Sequence, residues 1–173
     1  MLPIKLPNQP YQEKYIDKIN KVYKEMDKQR VYIKPSFALN HIIETLREKE
    51  MLPAICFVFS RKKAEEYANL IEHNLHDDPK KISNVHKECE GILRNTLSNY
   101  KEYTTSNEYV YMMKLLEKGI AVHHSGIIPI IREMIELLFS RGYIKLLFAT
   151  ETFSVGINMP TKTVLFTSIT KWD

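Results

Sequence analysis

Ala54-Ile-Cys-Phe-Val-Phe59 is an unbroken apolar run held between Pro53 and Ser60. A strand with one wet face alternates apolar and polar residues. A run without alternation is expected of a strand buried on both faces, as in a parallel sheet under helices. Working outward, the pattern returns in Ile120-Ala-Val122 and from Ile144 to Ala149, and residues 163–166 read as a fourth strand. The intervening segments have helical spacing. One helix is expected from Lys63 to Leu75. Another runs from Glu108 to Lys118, ended by Gly119, and a third from Pro129 to about Arg141, stopped by Gly142. A turn and a short helix are expected between Ala149 and Thr163. This alternation predicts an α/β fold, a doubly wound parallel sheet with helices on both faces.

Residues 1–10 hold Pro3, Pro7 and Pro10 and read as an extended lead-in. From Tyr11 to about Gln29, Tyr15, Ile19, Val22, Tyr23 and Met26 recur at helical spacing, with Lys14, Lys18, Lys21 and Lys28 elsewhere, as in an amphipathic helix. Lys34-Pro35 interrupts the chain, and Ser36 is expected to cap a second helix to about Glu50. The domain reading is therefore residues 1–35 as linker and amphipathic helix, and 36–173 as the α/β domain. Within that domain, 77–106 reads as a polar stretch with helical patches, whose Ile82, Val85, Cys89, Ile92 and Leu93 suggest one helix.

At 173 residues and 44% hydrophobic, the chain can bury one core, and five glycines with eight prolines exclude collagen-like and low-complexity classes. The net charge of +4 sits in one place: residues 1–34 carry eight Lys/Arg against four Asp/Glu, whereas 35–173 carry seventeen of each. Nucleic-acid binding by the α/β domain must therefore be argued from local features. Cys56 and Cys89 form no CxxC pair, which suggests reduced thiols and an intracellular protein, with Cys56 inert in its strand. The prolines after Met1 leave no secretory leader pattern. No apolar run is long enough to span a bilayer, so no membrane partner is expected.

In a doubly wound sheet, ligands sit beyond the strand C-terminal ends. Three loops occupy such positions: Ser60-Arg61-Lys62-Lys63, His123-His124-Ser125-Gly126 and Thr150-Glu151-Thr152. In each a strand ends, a hydroxyl residue follows, and a helix begins soon after. Helix-start amides beside a hydroxyl suit a phosphate oxygen, and three such loops on one edge could follow a nucleic-acid backbone. Taken singly, Ser60 and Thr150 read equally well as helix caps, and Gly126 as turn geometry. No glycine precedes a lysine and no Asp precedes a Glu, so the chain carries neither a phosphate loop nor an acidic magnesium box. ATP hydrolysis by this chain alone is not expected. His73, His76, His86 and Cys89 have zinc-like spacings but are scattered, and no metal is expected. His123 and His124, at a strand end without an evident carboxylate, read as structural or phosphate-contacting. Tyr100, Tyr103, Tyr109 and Tyr111 fit either base stacking or helix packing, and Trp172 fits packing beyond the last strand.

Three runs carry a family resemblance: Phe57 to Glu65 (FVFSRKKAE), Ile120 to Pro129 (IAVHHSGIIP) and Leu147 to Pro160 (LFATETFSVGINMP). They resemble motifs IV, IVa and V of superfamily 2 helicases, specifically the superkiller-like DExH-box RNA helicases that work with the RNA exosome. The likeness covers about residues 36–173. It implies the second RecA-like domain of an ATP-dependent RNA helicase, ending before the arginine-finger motif, with the phosphate loop and acidic box on a first RecA-like domain. It further implies RNA-backbone contacts from Ser60, Arg61, His124, Ser125, Gly126 and Thr150, a nucleotide contact from Gly156 and Asn158, and a coupling role for Glu151. ATP and magnesium would be bound mainly by the first domain. The implied partners are single-stranded RNA, that first domain, and proteins of an RNA-decay complex. A DNA-repair helicase of the same superfamily and a non-catalytic interaction module are the competing readings.

Overall fold

The computed structural model describes residues 10, 12–76, 78–151, 153 and 159–168. The chain forms two compact units, residues 1–34 and 35–173. The first holds α1 (Glu13–Lys28), an amphipathic helix with no buried residue, as the apolar spacing predicts.

The second unit is an α/β domain. Its elements in chain order are α2 (Pro35–Glu48), β1 (Ala54–Phe57), α3 (Arg61–Asn69), α4 (Lys80–Thr96), α5 (Tyr100–Thr104), α6 (Asn107–Leu116), β2 (Ile120–His123), α7 (Pro129–Ser140), β3 (Leu146–Ala149) and β4 (Thr163–Phe166). The four strands make one parallel sheet in the order β2-β3-β1-β4, flanked by helices. β1 and β3 are apolar throughout, and β2 is apolar up to His123, because both faces of these strands are covered. β2 and β3 are buried at every position, and Ile55 and Phe148 lie at the centre of the core with Phe139, Ile43 and Leu46. Each such side chain contributes about 1.5–3 kcal/mol of apolar burial.

β4 differs. The fourth strand expected at residues 163–166 lies at the sheet edge and alternates half-buried with exposed residues, Val164 and Phe166 facing outward. It has a neighbour on one side only among the described residues, so alternate side chains lack a covering layer. The Phe166 ring stacks on Phe57 at 5.4 Å.

Two helix boundaries also depart from the sequence expectation. α2 begins at Pro35, so Ser36 lies inside the helix and is not its cap. A proline suits the first helical position, because its missing N–H is not needed there. The helix expected from Lys63 to Leu75 stops at Asn69. Asn40 on α2 donates its Nδ2 to the Leu70 carbonyl at 2.8 Å and accepts the Glu72 N–H at 3.0 Å. Those bonds satisfy the backbone as a further helical turn would, and free Ile71 and Leu75 to enter the core from an extended segment. Residues 80–96 do form one helix. α4 packs on α7 and buries Val85, Cys89, Ile92 and Leu93. Gly119 and Gly142, at φ +76° and +78°, follow α6 and α7 in the left-handed conformation that glycine adopts without strain.

Candidate nucleic-acid interface

Because all four strands run parallel, their C-terminal ends share one edge. Phe57 is in register with Ala149, Ala149 with His123, and Phe57 with Phe166. The loops beginning at Val58, His124, Thr150 and Thr167 therefore start at one level. Backbone bonds continue the ladder there: Val58 N–H to the Ala149 carbonyl at 2.9 Å, Thr150 N–H to His123 at 3.1 Å, and Thr167 N–H to Phe57 at 3.1 Å.

The first loop leads into α3. Ser60 has extended backbone and accepts the Lys63 N–H at 3.4 Å, the geometry of a helix cap. Ala64 and Ala68 bury one face of α3 against β2 and β3, since only small residues let the helix approach closely. Arg61 and Glu65, four residues apart, share another face, which meets the second loop. The Arg61 Cδ lies 3.6 Å from the point where a Cβ on Gly126 would stand. Ser60, Lys63, Tyr67, Thr167 and Ser168 line a cavity of about 240 Å³ between the ends of β1 and β4.

The second loop is held from two sides. The His124 ring is 3% exposed; its Nδ1 accepts the Gly126 N–H at 3.1 Å, and its Nε2 meets Glu65 Oε1 at 3.0 Å. A backbone N–H can only donate, so Nδ1 is unprotonated and the ring proton sits on Nε2, shared with the carboxylate. A Cβ on Gly126 would lie 3.1 Å from Nδ1, so glycine is what allows this closeness. Further along, the Ile128 N–H donates to Glu108 Oε1 at 2.8 Å, and Ser106 caps the helix that carries Glu108. Ser125 and Gly126 remain exposed at the tip.

His123 is buried with its Nε2 2.8 Å from Glu136 Oε1 on α7, and its ring meets Phe153 edge-on at 4.7 Å. Burial lowers its pKa from the ordinary 6.5, with Glu136 pulling the other way. Both histidines thus have the carboxylate partner that was not evident in the sequence. The partners are 13 and 59 residues away, out of reach of a local pattern. Glu65, Glu108 and Glu136 are the site residues that sequence reasoning missed.

In the third loop Thr150 is buried and accepts the Phe153 N–H through its carbonyl at 3.1 Å, while Glu151 is exposed. Gly156 and Asn158, the expected short helix near them, and Trp172 lie outside the described residues. The scattered zinc-type residues stay apart. His76 Nε2 bonds to the Leu116 carbonyl and His86 Nε2 to Glu117, and no three metal-ligating groups gather among the described residues. Tyr109 is buried and the hydroxyl of Tyr111 accepts from Asn69, so these two serve helix packing. Among the described residues no helix is long and apolar enough to cross a membrane.

A four-stranded parallel sheet flanked by helices, with the loops after its strands gathered at the C-terminal edge, is the architecture of a RecA-like α/β domain. Relatives agree: the antiviral helicase SKI2 of Saccharomyces cerevisiae is 46% identical over 132 residues, the DExH-box ATP-dependent RNA helicase DExH10 of Arabidopsis thaliana 41% over 136, and the exosome RNA helicase MTR4 of Homo sapiens 41% over 135. Over those matched residues the chain is homologous to a segment of the superkiller-like DExH-box RNA helicases. Each match covers 76% of this chain and 10–13% of the relative, so the chain spans roughly a tenth of the length of the curated relatives it matches. No protein-family model matches the chain.

Proposed function

We propose that this chain is the second motor domain of an ATP-dependent RNA helicase and that its sheet edge meets the backbone of single-stranded RNA. The observation that carries the reading is the register of Phe57, His123 and Ala149, which brings the Ser60, Ser125 and Thr150 loops to one level. Arg61 supplies a cation beside Ser60, and Ser125 supplies an exposed hydroxyl and amide. Thr150 supplies a polar group at the floor between them. Such a set recognises phosphate and sugar but reads no base edges, so it acts on RNA without regard to sequence.

The chain has no Gly-Lys pair to wrap phosphates, and Gly156 and Asn158 would contribute from one side. As the resemblance implies, ATP and magnesium are held mainly by a first RecA-like domain, and Glu151 links that cleft to the RNA edge. ATP, when bound, supplies the energy for opening and closing the cleft; the residues here grip the backbone while it does so. In this reading the protein works inside the cell beside RNA-decay proteins, consistent with relatives named as exosome and antiviral helicases.

The test is titration of the 173-residue chain with a fluorescent single-stranded RNA across a salt series. Weak binding is expected, its logarithm falling with log salt by about 0.7 per phosphate contacted. Arg61→Ala should reduce that slope by about one such step. Absence of RNA binding, or ATP hydrolysis by this chain alone, would refute the assignment.

A further inference from the structure

We propose that Glu65 and His124 are positioning residues for the RNA contact: Glu65 fixes the imidazole of His124, and His124 sets the backbone of Ser125 and Gly126 at the sheet edge. The inference rests on the reading that the loop after β2 meets RNA.

The ring itself does not face a ligand. It is 3% exposed and both nitrogens are engaged. The Gly126 N–H is engaged as well, since it points inward to Nδ1. What remains facing outward is Ser125, exposed between two anchored neighbours. The bond from Gly126 back to the ring two residues earlier closes a small loop of atoms, which fixes the intervening peptide. That bond needs Nδ1 as an acceptor, hence the proton on Nε2, and Glu65 is the group that holds the proton there. Glu65 stands on α3 four residues after Arg61, so one helix face presents a cation to the edge and orients the neighbouring loop. The Glu65 side chain is half exposed, so its removal opens little of the core.

The experiment uses the 173-residue chain with ¹⁵N-labelled histidine and a fluorescent single-stranded oligouridylate. In the RNA-free protein the His124 nitrogens should report the Nε2–H tautomer. Glu65→Ala should weaken RNA binding roughly three- to tenfold, the scale of one net hydrogen bond. Glu65→Gln, which keeps an acceptor, should restore most of it. Ser125→Ala should weaken binding similarly, and the double variant Glu65→Ala with Ser125→Ala should be no weaker than the worse single one, because both act through one contact. Finding the Nδ1–H tautomer, additive losses, or no rescue by Gln overturns the inference. A wild type that loses RNA with Ser125→Ala but not with Glu65→Ala sinks the inference and leaves the RNA reading standing. A wild type that shows the tautomer yet binds no RNA sinks both.

Discussion

Replacing Gly126 and Gly91 with alanine should shift stability in opposite directions. At Gly126 the new methyl would stand 3.1 Å from His124 Nδ1 and 3.2 Å from Cε1, so the ring must retreat by a few tenths of an ångström. The ring is buried and pinned on both nitrogens, so retreat strains or breaks a bond. Overpacking of this kind costs about 1–3 kcal/mol. Gly91 sits within α4, and a Cβ there meets nothing within 4 Å. Alanine stiffens the unfolded chain and favours the helix, a gain of about 0.5–1 kcal/mol. Urea unfolding followed by circular dichroism, with an unchanged denaturant slope, measures both. Gly126→Ala within about 0.5 kcal/mol of wild type, the range of an inconsequential surface change, would show that the loop is not anchored as described. So would equal losses at the two positions.

The buried His123 makes stability depend on pH. Its folded pKa lies below the unfolded 6.5, so the unfolded chain takes up a proton more readily and stability rises with pH in that range. Stability from this group is complete above the unfolded value and is lost as pH falls below about 6.5 toward the folded value. His123→Gln should lose less than wild type between pH 7.5 and 5.5 in urea midpoints, and an equal or greater loss contradicts the assignment. Burial pushes the thiols of Cys56 and Cys89 up to about 12. Neither should react with a thiol-specific disulfide reagent at pH 8 in the native state, and both should react promptly in urea; rapid native labelling would show that their strand and helix open easily.

The sheet was legible because its central strands are apolar on both faces, a pattern written in consecutive residues such as Ala54 to Phe57. The three site loops were legible for the same reason, since each follows directly on such a run. What was not legible depends on side chains far apart in sequence. The strand order β2-β3-β1-β4 cannot be read from the chain, nor can the end of α3, which Asn40 sets from thirty residues away. The His124–Glu65 pair spans 59 residues. Sequence showed two adjacent histidines at a strand end; only the fold reveals that they face different carboxylates, on α3 and α7. β4 was legible as a strand over residues 163–166, but its place at the edge, which exposes alternate residues, was not.

The Asn40 amide has a consequence for how α2 is seated. Apolar contacts are not directional, so they fix a helix's seat in its groove less sharply than hydrogen bonds do. Asn40 acts as a peptide group borrowed from another element: it gives one bond to Leu70, takes one from Glu72, and gives another to Ser36 in its own helix. That set closes at one register only, because a satisfied polar network selects among packings that oily contacts leave nearly equal. Leucine at position 40 would keep the grease and lose the latch, leaving the Leu70 carbonyl and the Glu72 N–H without the partner that seats α2.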